Sequence, residues 1–112
     1  MSWTVRYLPE AERDVRGLDG SLRAQYDKAI RKVSQNPLPA TRGGYGKPLG
    51  NKGGRNLTGL LKIKLRGAGL RAVYKVLEDD TIMLVIVVGD RDDEEVYDLA
   101  AQRMALYPEY FN

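Results

Sequence analysis

A chain of 112 residues, 43% hydrophobic and 29% charged, has the length of one domain (1–112) and the composition of a folded protein rather than a disordered one. It holds no cysteine and no histidine, which removes disulfides, thiolate chemistry, catalytic triads, histidine acid–base pairs and the usual zinc sites. The net charge of +3 hides a segregation: residues 1–41 carry seven Lys/Arg against five acids, residues 42–77 carry nine Lys/Arg and no acid, and residues 78–112 carry two Lys/Arg against ten acids.

The N-terminal stretch MSWTVRYLPEAERD lacks an apolar run of signal-peptide length. The longest apolar run, Ile82 to Val88, is far short of the about 20 residues a membrane-spanning helix needs. The expectation is a soluble, cytoplasmic protein with no membrane partner.

Trp3 to Leu8 alternates apolar and polar residues and predicts a first strand. Pro9, followed by Glu10 and Glu12, suits a helix start; this helix should run to about Leu18 and stop near Gly17–Gly20. Asp19 or Ser21 can cap a second helix, in which Leu22, Tyr26, Ala29, Ile30 and Val33 recur at helical spacing. Asn36-Pro37 ends it.

Residues 37–56 form a long loop with six of the twelve glycines and three of the five prolines. Loops of this length inside a small domain are mostly functional or mobile. Gly59 to Arg66 then alternates cleanly, with Lys62, Lys64 and Arg66 on one face and Leu61, Ile63 and Leu65 on the other. Gly67-Ala68-Gly69 is a hairpin turn signal. Leu70 to Leu77 is the next strand, and Thr81 to Val88, apolar on both faces, reads as central in the sheet. Asp92 or Asp93 caps a last helix from Glu94 to about Leu106, with Val96, Leu99, Ala100 and Met104 as its buried stripe. The tail 107–112 should not continue that helix past Pro108. The order β-α-α-β-β-β-α predicts an α+β fold: an N-terminal strand and helical hairpin packed on a mainly antiparallel four-stranded sheet, closed by a C-terminal helix.

The basic block attracts a polyanion, and nucleic acid is the commonest such partner. A solvated basic face with no ligand is the plainer alternative. The glycine-rich loop lacks G-x-x-x-x-G-K-[ST], so a P-loop is excluded. The acids Asp90, Asp92, Asp93, Glu94 and Glu95 could hold Mg²⁺ in principle, but acids at a helix start are already explained by the macrodipole. No metal or other cofactor is expected. RNA cleavage through the 2′-hydroxyl needs only charge stabilisation and proton transfer. Lys and Arg supply the first. A lysine crowded by other cations has a lowered pKa and can supply the second. Lys62 and Lys64, with Arg66 next along, form such a cluster, and Lys47, Lys52, Arg55 and Arg66 are candidate RNA-binding cations around it.

Residues 60–104, LLKIKLRGAGLRAVYKVLEDDTIMLVIVVGDRDDEEVYDLAAQRM, carry K-x-K-L-R, G-x-R-x-x-Y, V-G-x-R and V-Y-x-x-A-x-x-R in order. This stretch resembles the C-terminal half of RelE toxins of bacterial toxin–antitoxin modules. The resemblance implies a microbial-ribonuclease-like fold and a metal-independent endoribonuclease that cuts messenger RNA in the ribosomal A site, against 16S rRNA. It also implies a cognate RelB-like antitoxin, with a heterotetramer as one assembly it allows. By position, the family's active site falls on Lys62, Lys64, Arg71, Arg91 and Tyr97. Lys64 would accept the 2′-hydroxyl proton, Lys62 hold charge nearby and Arg71 stabilise the transition state. Arg91 would assist the leaving oxygen, and Tyr97 would stack on or orient a base. The chain departs from the family in its longer, glycine-rich loop and in the acids after Arg91. Two other readings remain: a ParE-like inhibitor of DNA gyrase without nuclease activity, and a nucleic-acid-binding protein without catalysis.

Overall fold

The computed structural model describes residues 2–90 and 92–111. Strand β1 (Thr4–Tyr7) leads through Leu8 into α1 (Pro9–Arg16), with the proline in the first turn where its missing N–H costs nothing. The helix ends at Gly17. Asp19 accepts a hydrogen bond from the Leu22 N–H at 2.9 Å and so caps α2 (Gly20–Val33), whose buried side chains are Tyr26, Ile30 and Val33.

The long loop is more ordered than its composition implies. It contains a single 3₁₀ turn at Ala40–Arg42 and three two-residue strands: β2 (Lys47–Pro48), β3 (Asn51–Lys52) and β4 (Arg55–Asn56). β3 and β4 pair with each other as a small ribbon. β2 joins the main sheet, placing Lys47 opposite Lys62.

Three long strands follow: β5 (Leu60–Leu65), β6 (Leu70–Leu77) and β7 (Ile82–Gly89). The sheet order is β1-β7-β6-β5-β2, so the expected four strands gain a fifth from the loop. β1 runs parallel to β7, and the other pairings are antiparallel. β7 is an interior strand between β1 and β6, in keeping with its two-sided apolar pattern, with Met83 to Val88 all buried. The turn after β5 requires a positive φ at Gly69 (+68°), a conformation that costs glycine nothing.

One irregularity shapes the end of β7. Val73 pairs with Val87 and Tyr74 with Val85, leaving Ile86 as the extra residue of a β-bulge. β1 pairs β7 only as far as Val85. Beyond that point two side chains replace a strand. Asp14 accepts from the Val88 N–H at 3.0 Å, and Arg103 donates to the Ile86 carbonyl at 2.9 Å. The same two residues pair with each other at 2.6 Å.

Asp92 caps α3 (Asp93–Leu106) by accepting from the Glu95 N–H at 2.9 Å. Val96, Tyr97 and Ala100 bury its inner face, with Leu99 and Met104 partly buried beside them. The helix breaks at Tyr107, and Pro108 opens a further short helix, α4 (Pro108–Phe111). Among the described residues no helix is long and apolar enough to cross a membrane.

Candidate active site

Antiparallel pairing brings the basic residues of two strands together. Lys64 on β5 is the register partner of Arg71 on β6, and Lys62 lies two residues along the same face. The start of α3 lies over this face and contributes Asp93 and Tyr97.

Lys62 is buried, with 7% of its surface exposed, and donates to the Tyr97 hydroxyl at 2.8 Å. Its ammonium also lies 5.5 Å from the centre of the Tyr97 ring. Burial pushes the Lys62 pKa below the ordinary lysine value, and the positive charges of Lys64 and Lys52 push it further, against the pull of Asp93. Tyr97 is itself only 5% exposed. Its hydroxyl is shifted upward, first by burial and then by the Asp93 carboxylate. Most of the ring is thus in the core, and its polar end is turned to Lys62.

Asp93 bridges the other two cations. Its Oδ1 accepts from Arg71 Nε at 2.5 Å and its Oδ2 accepts from Lys64 Nζ at 3.1 Å. Burial alone would raise the Asp93 pKa, but the hydrogen bonds from Lys64 and Arg71 outweigh it and hold the carboxyl below the usual carboxylate range.

The four flanking cations separate. Lys47 is exposed beside Lys62 on β2, and Lys52 is half-buried. Arg66 is exposed just beyond β5. Arg55 faces α3 instead: its guanidinium donates to Asp98 at 2.5 Å and to Glu94 at 2.9 Å, and its side chain is 18% exposed. It ties the β3–β4 ribbon to the helix. The acidic run thus divides into separate tasks, with Asp92 capping, Asp93 holding Lys64 and Arg71, and Glu94 holding Arg55. Arg91 lies outside the described residues.

Sequence reasoning missed Asp93 as a member of this cluster, because nothing distinguishes it in sequence from the acids beside it. It also missed Tyr45, an exposed aromatic on the rim of the groove beside Lys62 and Lys64. A tyrosine between two glycines inside the basic block was the available signal.

The family described as ParE toxin of type II toxin–antitoxin system, parDE, matches residues 5–95, which places the chain among the toxins of such systems. A RelE-like toxin protein of Escherichia coli is 31% identical over 105 residues, covering 93% of this chain and 99% of that protein. The mRNA interferase toxin RelE of Escherichia coli strain K12 is 30% identical over 104 residues, again covering 93% and 99%. Free E. coli RelE carrying two arginine-to-alanine changes superposes with a TM-score of 0.71 at 29% identity, over 93% of this chain and 99% of its own. The RelBE2 toxin–antitoxin complex of Mycobacterium tuberculosis gives a TM-score of 0.65 at 26% identity, over 81% and 100%. The chain belongs to the RelE/ParE toxin family and is a RelE-type toxin.

Proposed function

We propose that this toxin is a metal-independent endoribonuclease that cuts messenger RNA in the ribosomal A site. The observation that carries the reading is the bridging of Lys64 and Arg71 by the two oxygens of one carboxylate. Two cations that grip a carboxylate in this way also present the right donors to two non-bridging oxygens of a phosphodiester. A bound phosphate would take the place of Asp93.

The reaction follows from the charges. The 2′-hydroxyl oxygen attacks the adjacent phosphorus, its proton passes to a base, and the bond from phosphorus to the 5′-oxygen breaks. The product is a 2′,3′-cyclic phosphate and a 5′-hydroxyl. Lys64 and Arg71 stabilise the negative charge that builds on the phosphate oxygens. Burial and neighbouring charge lower the Lys62 pKa and so make its neutral form easier to reach than a free lysine's, which supports Lys62 as the proton acceptor in the place expected for Lys64. Tyr97 holds the Lys62 amine through its hydroxyl, and its burial favours this orienting role over stacking on a base. Arg91 keeps the role the resemblance implies, assisting the leaving 5′-oxygen by charge support, and that oxygen takes its proton from solvent. Lys47, Lys52 and Arg66 are phosphate contacts around the cluster, and Arg55 acts through the ribbon it anchors.

A RelB-like antitoxin is the partner this reading supplies, in line with the complexes in which relatives have been solved. The decisive test is end mapping of messenger RNA on ribosomes incubated with the toxin. Cleavage with 5′-hydroxyl ends, persisting with chelator once ribosome-bound magnesium is restored, supports the reading; 5′-phosphate ends point to a metal-activated water and overturn it.

The ParE description of the matching family favours one second reading, inhibition of DNA gyrase without RNA cleavage. Loss of gyrase supercoiling on adding the toxin, with intact messenger RNA, selects it.

A further inference from the structure

A groove of about 360 Å³ runs along the outer edge of β5, between that strand and α2. Its size falls in the range of small-molecule clefts. Its walls carry Lys32, Lys47, Lys62, Lys64 and Arg66, and none of its lining residues is acidic. Tyr45 stands on its rim, 49% exposed, as one of only three large hydrophobic side chains left exposed among the described residues. The Lys32 ammonium lies 5.1 Å from the centre of the Tyr45 ring.

The backbone that presents Tyr45 is held by hydrogen bonds on both sides of it. Its N–H donates to the Asn36 carbonyl at 3.0 Å, and the Gly44 and Gly46 N–H groups donate to Pro39 and Leu38. A Cβ on Gly44 would fall 1.9 Å from the Leu38 carbonyl oxygen, and one on Gly46 would fall 2.3 Å from the Tyr74 hydroxyl. Glycine is required on both sides, so that the chain can press against residues 36–38 and Tyr74. The result is an aromatic face set at a defined place beside a cationic groove. Single-stranded nucleic acid is recognised by this pairing of a basic track with a stacking platform.

We propose that this groove is a subsite for unpaired RNA flanking the scissile phosphate, in which Tyr45 stacks on one base and Lys32, Lys47 and Arg66 contact the backbone. The proposal rests on the ribonuclease reading for the chemistry next door, since Lys62 and Lys64 form the inner wall of the groove. It differs from that reading in what it needs: a base-dependent contact outside the catalytic cluster. An acidic protein segment would answer the charge as well, and the base dependence of binding separates it from RNA.

The test measures binding of the full chain to a short, fluorescently labelled 2′-O-methyl oligoribonucleotide, which cannot be cut by 2′-hydroxyl attack. Tyr45→Ala should weaken binding on the order of tenfold and Tyr45→Phe should restore it, because stacking uses the ring alone. An oligonucleotide with abasic sites should bind the native protein and Tyr45→Ala equally well. Lys32→Gln should reduce the salt dependence of binding, as loss of a phosphate contact does. Unchanged affinity in Tyr45→Ala, or an equal loss on the abasic strand, overturns the subsite. So does a Tyr45→Ala defect confined to an acidic peptide. Tyr45-dependent binding with no cleavage of the matching 2′-hydroxyl RNA on ribosomes supports the subsite and removes the nuclease reading alone.

Discussion

Arg71 and Asp93 are joined by a hydrogen bond of 2.5 Å from Nε to Oδ1, and the second oxygen of the same carboxylate reaches Lys64. Two cations proposed to hold a phosphate are thus already holding an anion supplied by the chain. An RNA must displace that carboxylate to engage them, and the energetic consequence depends on which member of the group is removed.

On the proposed mechanism, removal of Arg71 takes away a contact made chiefly to the transition state. Arg71→Ala should lower the cleavage rate on the order of 10²–10³-fold, and cells expressing it should grow normally. The residue is only partly buried and lies near the end of its strand, so circular dichroism should show a folded protein. A stably expressed Arg71→Ala toxin with full activity would sink the site assignment.

Replacement of Asp93 should act in the opposite direction. Asp93→Asn removes the competing charge, so an uncleavable oligonucleotide should bind several-fold more tightly at low salt. Stability should fall, with a definite pH dependence. The folded-state pKa of Asp93 is depressed, so its contribution is present above the unfolded value and is lost as pH falls through the folded value. The difference in Tm between the native protein and Asp93→Asn should therefore be full near neutrality and shrink in acid. A Tm difference that grows as pH falls contradicts the ion-pair account.

As the proposed proton acceptor, Lys62 should set the pH profile. Its ordinary pKa of 10.5 is lowered by burial and by Lys64, so the neutral amine becomes available at lower pH than on a free lysine. Single-turnover cleavage should rise with pH and level off below 10.5. Lys62→Arg should be inactive across the range, since arginine does not give up its proton. Tyr97→Phe removes an acceptor that favours the charged amine, so its profile should move toward lower pH while the rate falls. An unshifted profile would leave Tyr97 a packing residue only.

The strand residues of this site were legible in the sequence for a simple reason. Period-two alternation puts Lys62 and Lys64 on one face, and the hairpin signal Gly67-Ala68-Gly69 brings Arg71 opposite Lys64. Burial of Val96 and Ala100 followed in the same way from helical spacing. What was hidden lacks periodicity. Strands of two residues such as Lys47–Pro48 are shorter than any alternation, so in sequence the fifth strand and the β3–β4 ribbon look like loop. The last long helix stops before Pro108 as expected, but sequence gives no sign of α4, in which the proline takes the first turn of a new helix. The choice of Asp93 over its neighbours depends on which carboxylate the helix turns toward the sheet. The motif residue Arg103 gave no sign of its structural task, because the bulge that creates the task involves residues far away in sequence.

That task yields the last prediction. Asp14 and Arg103 satisfy the backbone of β7 where β1 stops, and they do so as a pair only 21% and 11% exposed. Asp14→Ala takes the acceptor from the Val88 N–H and the counter-charge from Arg103, which keeps only its bond to the Ile86 carbonyl. Breaking one side of such a pair costs about 3–5 kcal/mol, a large share of the stability of a domain this size. Asp14→Asn keeps an acceptor for Val88 and loses only the charge, so its loss should be smaller. Urea denaturation should rank the native protein above Asp14→Asn and Asp14→Ala lowest. Oligonucleotide binding by the folded fraction should stay at the native level in all three, because neither residue reaches Lys62, Lys64 or Arg71. Equal stability of native protein and Asp14→Ala would show that water replaces the carboxylate at the β7 edge, and the role assigned to the pair would fall.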